Sequence, residues 1–63
     1  MIHAKIGDMV RVHISGDRVI GTLISTRHAY EWNNTLLRCT VLDLRGKVCE
    51  FLVNNTPYGL EVL

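Results

Sequence analysis

The residues best suited to chemistry in this chain lie in one polar, aromatic-bearing stretch, Arg27-His28-Ala29-Tyr30-Glu31-Trp32-Asn33-Asn34-Thr35. Trp32 and Tyr30 offer flat apolar faces for stacking, Arg27 and His28 bring donors, and Asn33 presents a donor and an acceptor on one side chain. Such a set binds a ligand rather than transforming one. In a purely structural reading, Trp32 caps an open end of the fold and Tyr30 packs at its rim. Arg11 and Arg38, joined by Arg18 and Lys5, are candidates for phosphate contacts. The plainer alternative is a solvated charged face that pairs with Asp17 and Glu50.

Catalytic and metal chemistry have little to stand on. The acids are dispersed: Asp8 and Asp17 at strand ends, Asp43 facing Lys47, and Glu31, Glu50 and Glu61 apart from one another. No glycine-rich loop opens a helix, so no phosphate cradle of that kind exists. His3, His13 and His28 fall on different elements, and Cys39 and Cys49 form no Cys-x-x-Cys. The cysteines read as reduced, buried small hydrophobes. The expectation is a protein that is not an enzyme and holds no metal or cofactor.

The elements that position these residues can be read from the hydrophobic pattern. Leu37 to Val53 forms one hairpin if its loop is Leu44-Arg45-Gly46, with Gly46 in the left-handed conformation. Asp43 then faces Lys47, Val41 faces Cys49, Cys39 faces Phe51 and Leu37 faces Val53, and the charged residues fall on the other face. A loop at Arg45-Gly46 would instead set Val41 against Glu50. Upstream, Met9 to Ser15 alternates at period two, and Gly16-Asp17 offers a primed turn into a returning strand, Val19 through Thr26. That register sets Ile14 against Val19, Val12 against Gly21 and Val10 against Leu23. Arg27 to Thr35 is expected to be the loop joining the hairpins. Asn54 to Tyr58 reads as a turn or a single 3₁₀ turn, and Leu60 to Leu63 as a short last strand. The predicted fold is all-β, a five-stranded small barrel, closed or nearly so, over one domain, residues 1–63.

Gly7-Asp8-x-Val10-x-Val12, a glycine turn and Gly21-x-Leu23 resemble the opening of SH3-like small barrels, including KOW-type modules. A long second loop, a tight hairpin, a proline-containing turn and a short fifth strand follow in the same order. The resemblance implies that the aromatic loop lies near Pro57 and Tyr58, so that Tyr30, Trp32 and Tyr58 share one surface. The basic residues that flank the KOW glycines are missing, as is the acidic, tyrosine-rich first loop of peptide-binding SH3 domains. Val10-x-Val12 and Gly21-x-Leu23 are similar also to Sm-like barrels, without the helix that opens that family or its closing motif.

The outer faces of the two hairpins carry Met9, Ile20 and Ile24, and Leu36, Leu42, Val48 and Leu52. That is more apolar surface than a small protein leaves in water. Each side chain fully buried contributes roughly 1.5–3 kcal/mol. A homo-oligomer is therefore expected, with Met9, Ile20, Ile24, Leu36 and Leu52 at its interface. With 63 residues, a monomer would bury only a marginal core. Seven Lys and Arg against six Asp and Glu give a near-neutral balance, which argues against strong non-specific binding to phosphate backbones. No apolar run is long enough for a spanning helix, and Met1-Ile2-His3-Ala4-Lys5 reads as no signal peptide, so a cytoplasmic location is expected. Three classes of function remain: a nucleic-acid-associated regulatory module, a protein-interaction module acting as inhibitor or adaptor, and an oligomeric barrel that captures a small anion such as a nucleotide. The aromatic, Arg- and Asn-bearing stretch favours the first.

Overall fold

In the computed structural model, which describes residues 4–30, 33–54 and 56–63, with side chains described outside 28–35, the chain is all-β. Five strands form one antiparallel sheet: β1 (Met9–Ile14), β2 (Asp17–Tyr30), β3 (Asn33–Asp43), β4 (Val48–Asn54) and β5 (Leu60–Val62). Their order across the sheet is β4-β3-β2-β1-β5.

The β3–β4 hairpin has the register its residues dictate. Gly46 takes φ +83°, and its N–H donates to the Asp43 carbonyl at 3.0 Å. Val41 pairs with Cys49, Cys39 with Phe51 and Leu37 with Val53. Asp43 fastens the turn with its side chain as well, because Oδ1 accepts from the backbone N–H of Arg45 at 2.9 Å and of Lys47 at 2.8 Å. Those amides hold its carboxyl below the usual aspartate range, Lys47 contributing most, and the Arg45 and Lys47 charges add to the effect.

The β1–β2 hairpin differs from expectation in its turn. Ser15-Gly16 forms the loop, Ile14 pairs with Asp17, Val12 with Val19 and Val10 with Gly21. Gly16 has φ +75° and no other residue in the turn has positive φ. Positive φ at the second central position alone marks a type II geometry, not a primed one. The register is therefore two residues from the expected one. A shift of two leaves every side chain on its predicted face, and Val10, Val12 and Leu23 are fully buried.

The expected loop at 27–35 is a correction of substance. β2 runs on to Tyr30 and β3 begins at Asn33, so this stretch is mostly a continued ladder. Glu31 and Trp32 alone lie between the strands, outside the described residues. What hides the strand is a bulge: Leu23 pairs with Val41 but Ser25 pairs with Thr40, leaving Ile24 as the extra residue. Beyond it the side-chain alternation of β2 is reversed. Thr26 stands opposite Cys39, and Arg27 stands opposite Arg38.

A single sheet has no second layer to cover its apolar face, so it must curl over itself. Val10, Val12, Leu23, Leu37, Cys39, Val41, Val53 and Leu60 form the core inside the curl, with Ala4, Ile14 and Phe51 against it. The fold is thus the expected all-β, five-stranded one, and of the two expected forms, closed or nearly closed, the sheet is not closed. β5 spends its three residues on β1, as Val12–Leu60, Arg11–Glu61 and Val10–Val62, and β4 remains the opposite edge. The turn expected before the last strand is present, with the Thr56 carbonyl accepting from the N–H groups of Gly59 and Leu60, both at 2.9 Å.

Curling concentrates at Gly21. A Cβ there would lie 2.7 Å from Val41 Cγ1 and 2.8 Å from Asp43 Cα, and would collide with the Leu42 carbonyl oxygen. Most of these atoms are backbone and cannot swing aside. Gly21→Ala is expected to lower stability by about 1–3 kcal/mol, read as a lower urea midpoint with an unchanged slope; an unchanged midpoint would contradict the close approach. Asp43 gives a second test. A depressed carboxyl stabilises the fold above the usual aspartate range, and that contribution is lost as pH falls through it. The thermal midpoints of Asp43→Asn and the parent should differ at neutral pH and converge between roughly pH 4 and pH 2. A gap that stays constant into acid would show that the charge has no part in the turn.

Candidate functional site

The outer face of the sheet can be built row by row from the register. Beyond the Ile24 bulge, Arg27 and Arg38 are direct cross-strand partners on that face. Like charges directly opposed in a ladder are destabilising unless something compensates them. The compensation here is partial. Glu50 Oε1 lies 3.8 Å from Arg38 Nη1, with both side chains well exposed. Arg27 is exposed and makes no ion pair among the described residues. On the other side of Arg38 the next partner is Leu52, 53% exposed. The result is two guanidinium groups and an apolar side chain side by side, the arrangement that meets a phosphate and the body attached to it.

The other predicted phosphate contacts are placed differently. Arg11 Nη1 lies 2.8 Å from Glu61 Oε1, its cross-strand partner, and His13 Nε2 lies 3.5 Å from the same oxygen. The Arg11 charge is thus offset by a carboxylate on β5. Arg18 sits at the first turn, at the opposite end of β2 from Arg27. Lys5 precedes β1, where its backbone N–H donates to Asp8 Oδ2 at 2.8 Å. The four do not form one stripe.

Of the predicted ligand-binding residues, Arg27 is described in full, His28, Tyr30 and Asn33 are described by backbone alone, and Trp32 lies outside the described residues. His28 pairs with Leu37, and Tyr30 with Asn33, so the hairpin carries these residues outward from the Arg27–Arg38 row. Tyr58 is 88% exposed. The backbone of Gly59 lies against Asn54, the partner of Leu36. The turn that holds Tyr58 is thus set against the last residue of β4, while the Gly59 carbonyl accepts from the His13 N–H of β1 at 2.8 Å. Arg27 and Arg38 are each legible in the sequence as candidate contacts, but their pairing is not. The available signal was the lapse in alternation at Ile24-Ser25-Thr26.

Burial also shapes the chemistry of one thiol. Both cysteines are free. Burial pushes the Cys39 thiol up, and the charge of Glu50 adds to that. Such a thiol is a poor nucleophile. No helix among the described residues is long and apolar enough to cross a membrane. Of the predicted interface residues, Met9, Ile24 and Leu52 are each more than two-fifths exposed, whereas Ile20 and Leu36 are half-buried. No protein-family model matches the chain, and neither curated proteins nor solved structures give a significant match to it.

Proposed function

We propose that this protein is a non-enzymatic binding module that associates with nucleic acid through the outer face of its β2–β3 ladder. The observation that carries this reading is the Arg27–Arg38 pair, opposed across the ladder, with Glu50 on the β4 side 3.8 Å from Arg38 and no ion pair to Arg27 among the described residues. The ladder leads from that pair to Tyr30 and on toward Trp32, so phosphate contacts and stacking groups follow one another along a single hairpin. The all-β sheet, the Pro57 turn and the short β5 support the resemblance to SH3-like barrels, although a long second loop does not. With a formal charge of +1, one subunit offers few phosphate contacts. Repetition of the pair in a homo-oligomer would multiply them, as avidity requires.

Self-association is part of the same proposal. Val48 is 60% exposed and Leu52 53% exposed on β4, an edge strand with no neighbour beyond it among the described residues. Such edges are covered in stable proteins or else recruit partners. These residues also favour the second reading, a protein-interaction module, in which another protein covers the β4 edge and its apolar outer face.

Two measurements separate these readings. Binding of a labelled single-stranded oligonucleotide should weaken with salt, and Arg27→Ala should reduce the slope of log K against log salt by about 0.7 per subunit. No binding at low salt, or an unchanged slope in both Arg27→Ala and Arg38→Ala, would remove the nucleic-acid reading. Native mass spectrometry should give a multiple of 7.2 kDa, and Leu52→Glu should return the mass to the monomer. A monomeric parent protein would leave the β4 face to a different partner.

A further inference from the structure

At the other end of the sheet, β2 outruns its neighbour. The β2–β3 ladder starts with Gly21 opposite Asp43, so Asp17 to Ile20 have β1 on one side and no β3 partner on the other. The β3–β4 turn arches away at this point. Between them lies a cleft of ≈ 430 Å³, lined by Asp17, Arg18, Val19, Ile20, Asp43, Leu44 and Arg45. The cleft is open to solvent, with Asp17, Arg18, Leu44 and Arg45 exposed along it.

The lining divides by chemistry. Both carboxylates are tied down, since Asp17 Oδ1 accepts from the Arg18 N–H at 2.7 Å and Asp43 Oδ1 accepts from the Arg45 and Lys47 N–H groups. Their Oδ2 atoms accept no hydrogen bond among the described residues. Neither Arg18 nor Arg45 makes an ion pair among the described residues. Leu44 is 73% exposed at the rim, with Val19 and Ile20 half-buried on the β2 side. The cleft therefore offers guanidinium donors for an anion, carboxylate acceptors for hydroxyl or amino groups, and an apolar wall for a flat body.

We propose that this cleft binds a small organic phosphate that also bears hydroxyl groups and a ring, the chemistry of a mononucleotide. Arg18 and Arg45 take the phosphate, the free Oδ2 atoms of Asp17 and Asp43 accept from hydroxyl or amino donors, and Leu44 covers the ring. This site is independent of the Arg27–Arg38 pair. The two differ in a measurable property: two arginines and two aspartates cancel in net charge, so recognition in the cleft rests on short-range contacts and depends only weakly on salt.

The test is an amide-resolved NMR titration of the whole chain with AMP, alongside inorganic phosphate and adenosine. Saturable shifts are expected at Arg18, Ile20, Leu44 and Arg45, with affinity for either fragment lower by roughly tenfold or more. Arg18→Ala and Arg45→Ala should each weaken AMP by roughly tenfold while leaving the backbone spectrum away from the cleft unchanged. Equal affinity for inorganic phosphate and AMP would overturn the organic-ligand assignment. The cleft as a site would be overturned by shifts confined to the Arg27 and Arg38 rows, by no saturation at millimolar AMP, or by retention of parent affinity in both variants. Loss of AMP binding in the Arg18 and Arg45 variants leaves oligonucleotide binding through Arg27 untouched, so failure of one site is distinguishable from failure of the other.

Discussion

β2 passes from one neighbour to the other, pairing with β1 from Asp17 to Thr22 and with β3 from Gly21 onward, so that only Gly21 and Thr22 carry a partner on both sides while the sheet curls around a core with no second layer. Two local devices make that possible. Gly21 has no Cβ, so the Leu42 carbonyl and Val41 side chain can close over it. Three residues later, Ile24 is extruded as a bulge, which bends the strand and raises its twist. Before the bulge β2 turns Leu23 into the core; after it, Thr26 takes the inward side and Arg27 the outward one. The placement of Arg27 and His28 follows from that one-residue slip, and a second irregularity between His28 and Tyr30 sets Tyr30 opposite Asn33.

The same constraint explains which parts of the fold were legible in sequence. The β3–β4 hairpin could be solved because only one loop sorts Val41, Cys49, Cys39 and Phe51 from Arg38, Thr40 and Glu50. Gly46 then supplies the positive φ the loop needs. The β1–β2 hairpin was legible in its faces but not its pairing, because a period of two cannot tell registers that differ by two residues. Ser15-Gly16 and Gly16-Asp17 are both acceptable turn pairs by composition, and the choice between them rests on tertiary contacts. The 27–35 strands were not legible. Their polar and aromatic side chains read as loop, and the bulge had already broken the alternation that would have extended β2. The degree of closure stayed open for a different reason: strand count is visible in sequence, but whether β5 is long enough to reach β4 is not.

Charge placement follows from register more than from composition. A formal charge of +1 conceals the fact that the charges are segregated by row. Arg11 and His13 meet Glu61 on the β1–β5 side. Asp17, Arg18, Asp43 and Arg45 gather at the cleft where β3 leaves β2. Arg27 and Arg38 face each other near the far end, with Glu50 the one carboxylate paired with Arg38 among the described residues. A destabilising like-charge pair in a small, marginal fold is a local conflict between stability and sequence, and such conflicts are characteristic of binding surfaces. The candidate site residues proposed from sequence were thus partly legible by type, while their grouping depended on the bulge.

The most direct test of this account is the β2–β3 register itself, measured by cross-strand nuclear Overhauser contacts between backbone protons. The account predicts Leu23 opposite Val41, then Thr26 opposite Cys39 and Arg27 opposite Arg38, with Ile24 unpaired. An unbroken ladder, with Thr26 opposite Arg38 and Arg27 opposite Leu37, would turn Arg27 toward the core side, dissolve the arginine pair and contradict the account at its base.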